Sequence, residues 1–110
     1  MPHYLLQLAY TPEGWAAQLK NPGNRFEAVQ PVFDRLGARF ESGYLSFGEY
    51  DIVGIVEAPD NVSAAAISLA FSAGGAVKAI KTTPLMTPEE GIEALRKAGD
   101  ASSVYRPPAQ

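Results

Sequence analysis

The chain has 110 residues, 46% of them hydrophobic and 19% charged, with a formal net charge of -3 and no cysteine. That composition describes one domain able to bury its own core, and it excludes disulfides, thiolate metal sites and cysteine nucleophiles. Mild acidity without a basic run argues against nucleic acid as a partner. No stretch is apolar over a length that would span a membrane, and the opening M-P-H-Y-L-L-Q-L-A-Y lacks the basic start and sustained apolar run of a signal peptide, so a cytoplasmic protein is expected.

Residues 3 to 10 form a first predicted strand, with Tyr4, Leu6, Leu8 and Tyr10 on one face and Leu5, Gln7 and Ala9 on the other. Both faces are apolar enough to be covered. Thr11-Pro12-Glu13 places a cap, a first-turn proline and a first-turn acid in order, which starts a helix. Asn21-Pro22-Gly23-Asn24 interrupts it, and Asn24 with Glu27 restarts it in the manner of a capping box. Phe26, Val29, Phe33 and Leu36 then give one buried stripe, Pro31 predicts a kink, and Gly37 suits a left-handed helix end.

Residues 38 to 47 predict a second strand and residues 51 to 58, D-I-V-G-I-V-E-A, a third that is apolar on both parities and therefore central. Between them Phe47-Gly48-Glu49-Tyr50 suits a two-residue hairpin with Gly48 at the first central position of a type II′ turn, and Asp51 positioned to accept from turn amides. Asp60 caps a helix over residues 61 to 73, with Val62, Ala65, Ala66, Leu69 and Ala73 as its expected buried stripe and Gly74-Gly75 as its end. That glycine pair follows a helix instead of preceding one, so it is no phosphate cradle. Residues 76 to 83 predict a fourth strand. Thr87-Pro88-Glu89-Glu90 is a capping box that opens a helix to about Ala98, with Ile92 and Leu95 as its core contacts. The expected domain is 1–99, followed by a mobile tail over 100–110.

The order β-α-β-β-α-β plus a terminal helix predicts an α+β ferredoxin-like antiparallel sheet with helices on one face. The other face would be open yet apolar around Ile52 to Val56, which predicts a homodimer, or higher homo-oligomer, packed sheet on sheet.

The stretch F-G-E-Y-D-I-V-G-I-V-E-A-P-D, residues 47 to 60, resembles the signature of the GYD domain family of small bacterial and archaeal proteins. The similarity extends to the opening strand, the T-P-E-G-W helix start and the L-G-A-R-F lead into the second strand, over residues 3 to about 98. It implies a fold of the dimeric α+β barrel type and supplies no activity. Relatives by fold include cofactor-free oxygenases, haem-degrading enzymes, muconolactone-type isomerases and ligand-sensing domains.

His3, the one histidine, has neither cysteine nor suitably spaced carboxylates to complete a metal site, so no metal and no cofactor are expected. Trp15, Tyr50, Tyr44 and Tyr10 are the candidates to line a pocket between sheet and helices, since tyrosine offers an apolar ring with a polar tip. Tyr50, Asp51 and His3 are the candidates for any catalysis. Asp51 and Glu57 share a strand face about 20 Å apart, too far for a carboxylate pair. Burial would raise the Glu57 pKa unless Arg39, Lys78 or Lys81 meets it.

Three functional readings follow. The leading one is a homo-oligomeric domain binding a small apolar or aromatic ligand. The others are a cofactor-independent oxygenase or isomerase, and a structural or partner-interaction module without catalysis.

Overall fold

The computed structural model describes residues 1–109, and its elements follow the expected order. In β1 (His3–Tyr10) the side chains of Tyr4, Leu6, Leu8 and Tyr10 are buried, while His3, Leu5 and Gln7 are half-buried. The Thr11 hydroxyl accepts the Gly14 N–H at 3.0 Å, which caps α1 (Pro12–Lys20). A Cβ on Gly14 would lie 2.7 Å from the Ala76 carbonyl oxygen, so only glycine lets this helix press against the start of the fourth strand.

The Asn24 side chain accepts from the Phe26 and Glu27 amides and starts α2 (Arg25–Ala28). Where the sequence predicts a kink, the helix is interrupted at Val29, and α3 (Gln30–Arg35) begins anew with Pro31 in its first turn. A proline there has no N–H to waste and its fixed φ fits, so a fresh start is cheaper than a bend. Gly37 takes φ 67, the expected left-handed helix end, and leads into β2 (Arg39–Leu45).

The hairpin to β3 (Ile52–Glu57) departs from expectation. Gly48 does not have positive φ, so the connection is not a type II′ turn; residues 46–51 form a six-residue loop closed by Ser46 N–H donating to the Asp51 carbonyl at 2.7 Å. Asp51 is pulled away from the turn and toward β1, where it serves that strand's end.

The Asp60 carboxylate accepts the Ser63 N–H at 2.8 Å and caps α4 (Asn61–Ala73). Its buried residues are Ala64 and Ile67, with Phe71 partly buried, and not the expected stripe: Val62 and Leu69 are 79% and 70% exposed. α4 is apolar nearly all round, so its sequence carries no polar face to fix the phase. β4 (Val77–Leu85) and α5 (Pro88–Ser102) complete the chain. The capping box of α5 forms in full, with Thr87 and Glu90 bonded both ways. However, Ile92 and Leu95 are exposed instead of meeting a core, and no residue of α5 is buried. The helix also runs to Ser102, into the segment expected as tail.

The sheet order is β2-β3-β1-β4, antiparallel throughout, which makes β1 and β2 parallel but separated by β3. This split β-α-β arrangement is the ferredoxin-like α+β fold. Two register shifts shape it. Between Ala9 and Tyr10 the register gains one residue on β4, Lys78, which lets both Val77 and Ile80 face the helices. On β2 the extra residue is Glu41.

The helices cover the face carrying Tyr4, Leu6, Leu8, Tyr10, Ile52 and Val56. At one end Tyr4, Leu6, Phe33, Val56, Ala58, Ala64 and Ile67 form a close-packed core. At the other a smaller cluster of Leu8, Tyr10 and Ile52 is bordered by partly buried Trp15, Phe26, Phe71, Val77 and Ile80. The opposite face presents Leu5, Gln7, Val53 and Ile55, flanked by Tyr44 and Thr83. The radius of gyration is 17.8 Å with a longest dimension of 59 Å, against about 13 Å for a compact chain of this length, as expected if α5 stands away from the sheet.

Candidate functional site

The looser end of the helix-covered face opens into a cleft of about 320 Å³ between α2–α3 and α4. Its floor is Leu8, Tyr10, Ile52 and Val77 of the sheet; Phe26, Val29 and Val32 form one wall and Ala70 and Phe71 the other. The helix break at Val29 brings Phe26 and Val32 to the same wall, and the β4 bulge turns Val77 inward. Gly43 sets the position of Phe26: a Cβ there would collide with the ring, so the ring lies directly on the β2 backbone. Phe26 and Phe33 each meet Phe40 with ring centroids 5.0 and 4.3 Å apart.

Two polar groups stand in this apolar surround. Tyr10 is buried, and the loss of water around its ring pushes its hydroxyl pKa up, opposed by the neighbouring Arg25 guanidinium, so the phenol stays protonated at neutral pH. Trp15 meets it edge to face at 5.2 Å, a contact worth about 0.5–1.5 kcal/mol, and holds the ring in place. Arg25 lies at the mouth, exposed, and among the described residues it forms no ion pair.

The Asp51 backbone donates to the Leu8 carbonyl at 2.8 Å, while its carboxylate accepts the Tyr10 N–H at 2.9 Å. One residue thus extends the β1–β3 ladder past the last paired strand residue and fixes the backbone beneath the Tyr10 ring. The Ser46 hydroxyl, donating to the Tyr50 carbonyl at 2.7 Å, steadies the loop that carries Asp51.

Of the sequence candidates, then, Tyr10 lines the cleft, Trp15 supports it from behind and Asp51 anchors its floor. Tyr50 lies in the 46–51 loop and Tyr44 on the uncovered sheet face opposite Val53, 71% exposed; neither lines the cleft. His3 is at the far end of β1, paired with Glu57 and so roughly 20 Å from Asp51 at ~3.3 Å per residue. Its Nε2 lies 3.3 Å from Glu57 and 3.4 Å from Glu41, and Arg39 Nε bonds the other Glu57 oxygen. The Arg39 guanidinium holds the Glu57 carboxyl below the usual glutamate range despite the opposing effect of burial, with His3 adding to the pull. Arg39 is therefore the cation that Glu57 required. Among the described residues no group of three or more His, Asp or Glu side chains is arranged to hold a metal.

Sequence reasoning missed Arg25, Phe26, Phe40 and Phe71 as cleft residues. Arg25 did carry a signal: it is a cation immediately before an apolar stripe, on the same restarted helix as Phe26.

A four-stranded ferredoxin-like sheet with one open face, and an apolar cleft under its helices, defines a small α+β domain of the ferredoxin-like class. The chain belongs to the GYD domain family, whose model matches residues 4–95. It is 32% identical over 78 residues to the glutamine synthetase and cystathionine beta-lyase binding protein of Thermus thermophilus, a match covering 71% of this chain and 82% of that protein. No solved structure matches the chain. No helix of the described residues is long and apolar enough to cross a membrane.

Proposed function

We propose that this GYD domain is a homo-oligomeric binding protein that takes a small apolar or aromatic ligand between sheet and helices. The cleft carries this reading: about 320 Å³ of largely apolar space lies at the small end of the ~300–1,000 Å³ typical of ligand sites, with polar groups concentrated at one position. The uncovered sheet face, with Leu5, Val53, Ile55 and Tyr44 in adjoining rows, is the surface through which two copies would meet. Binding is favoured over an oxygenase or isomerase activity because His3, Tyr50 and Asp51 do not converge on the cleft. Native mass spectrometry of the protein from its source tests this directly. A dimer or larger species carrying a retained small molecule is expected; a ligand-free monomer at micromolar concentration would overturn it.

A second reading has its own support. The outward stripe of α4, Val62, Ala65, Leu69 and Ala73, and the apolar side of α5, Ile92 and Leu95, are exposed, and the Thermus relative is named as a binding protein for two enzymes. On this reading the domain docks onto an enzyme such as glutamine synthetase. Light scattering of the mixed purified proteins should then show a complex that Leu69→Asp abolishes.

A further inference from the structure

The cleft holds an asymmetry that bears on what it would bind. Its walls are aliphatic and aromatic, and its polar character gathers at Tyr10 and Arg25. Away from the cleft, Arg39 is bonded to Glu57, which His3 also meets. Arg25 stands apart from that pair. It lines an apolar cleft, lies beside the Tyr10 hydroxyl, and has no carboxylate partner among the described residues. The nearest acid acting on Tyr10 is Asp51, and its carboxylate already accepts the Tyr10 backbone N–H.

A guanidinium offers a planar pair of donors that matches a carboxylate, and a protonated phenol beside it supplies a third. The apolar walls would take the remainder of the ligand. A cleft of about 320 Å³ lies at the small end of ligand-site volumes, which suits a small ligand. We infer that the cleft selects a small aromatic or branched carboxylic acid, its carboxylate bound by Arg25 and the Tyr10 hydroxyl at the mouth and its apolar body seated against Phe26, Phe71, Val32 and Ile52.

This inference rests on the ligand-binding reading of the cleft, and a matched pair of probes separates the two. Phenylpropanoate and phenylpropanol share an apolar body and differ in the charged head. Calorimetry at neutral pH and low salt should show the acid binding about tenfold more tightly than the alcohol. The preference should shrink as salt is added, since Arg25 is exposed to screening. Arg25→Gln should bring the acid down to the alcohol's affinity, Arg25→Lys should keep part of the preference, and Tyr10→Phe should reduce it less than Arg25→Gln does. Thermal melts of each variant establish that it is folded. Equal binding of acid and alcohol by the wild-type chain would overturn the carboxylate assignment while leaving the cleft a ligand site. A preference for the acid that survives in Arg25→Gln would place the anion elsewhere and overturn it too. Binding of neither probe would count against the cleft reading itself and the inference with it.

Discussion

The two ends of the helix-covered sheet face use the same kinds of residue and reach opposite results. At the end where β1 begins, Phe33, Ile67, Ala58 and Ala64 interlock with Tyr4, Leu6 and Val56, leaving a void of about 10 Å³, barely room for one water. At the end where β1 finishes, Leu8, Tyr10 and Ile52 lie under a cleft some thirty times larger, bounded by Phe26 and Phe71. Small residues account for the difference. Ala58 and Ala64 let helix and strand approach at the first end, whereas the helix that walls the second is interrupted at Val29. Interiors normally pack to uniform density, so the open end is the departure that the ligand-binding proposal rests on.

That contrast can be broken from either side. The largest effect belongs to the closed end: Phe33→Ala removes a fully buried ring and should cost about 3–5 kcal/mol in denaturant unfolding. Gly43→Ala attacks the open end by forcing Phe26 off the β2 backbone; it should cost about 1–3 kcal/mol and weaken ligand binding together with stability. A Gly43→Ala chain with unchanged affinity would show that the position of Phe26 does not shape the site. Asp51→Ala should cost about 1–2 kcal/mol by freeing the Tyr10 N–H, with faster hydrogen exchange at that amide than anywhere in the closed end.

The smallest effect lies outside both ends. Glu57 has its pKa lowered by Arg39, so its contribution is present above the ordinary glutamate range and lost as pH falls through the depressed value. Acid titration of stability should therefore be flatter in Glu57→Gln than in the wild type below about pH 5. Identical profiles would mean that the pair contributes nothing to folding.

Local signals in the sequence prescribe most of this fold. Thr11, Asn24, Asp60 and Thr87 each cap the helix they precede, and Gly37 takes the left-handed conformation its position implies. The doubly apolar third strand is central, as its composition requires. What escaped was tertiary. α4 has apolar residues on every side, so nothing local says whether Ala64 and Ile67 or Val62 and Leu69 turn inward. α5 has a clear apolar side, yet periodicity cannot say whether the surface it fits belongs to its own domain. The loop at 46–51 hinges on Asp51 reaching a strand forty-one residues earlier, a bond invisible in turn propensities. Of the residues expected to line the candidate site, Tyr10 lies in the cleft and Trp15 touches Tyr10 without lining it, whereas Tyr44 and Tyr50 were drawn in by residue type alone. Arg25 and Phe26 are set beside the cleft by the restarted helix, and Phe40 and Phe71 by the packing of β2 and α4, none of which periodicity specifies.

The claim that the open end is a ligand site is tested most directly by amide chemical-shift mapping of the labelled protein titrated with phenylpropanoate. Saturable shifts at Leu8, Tyr10, Phe26, Val32 and Phe71, with Tyr4, Leu6 and Ile67 unmoved, are the predicted result. Shifts confined to Leu5, Val53 and Ile55 on the opposite face, or no shifts at all, would contradict it.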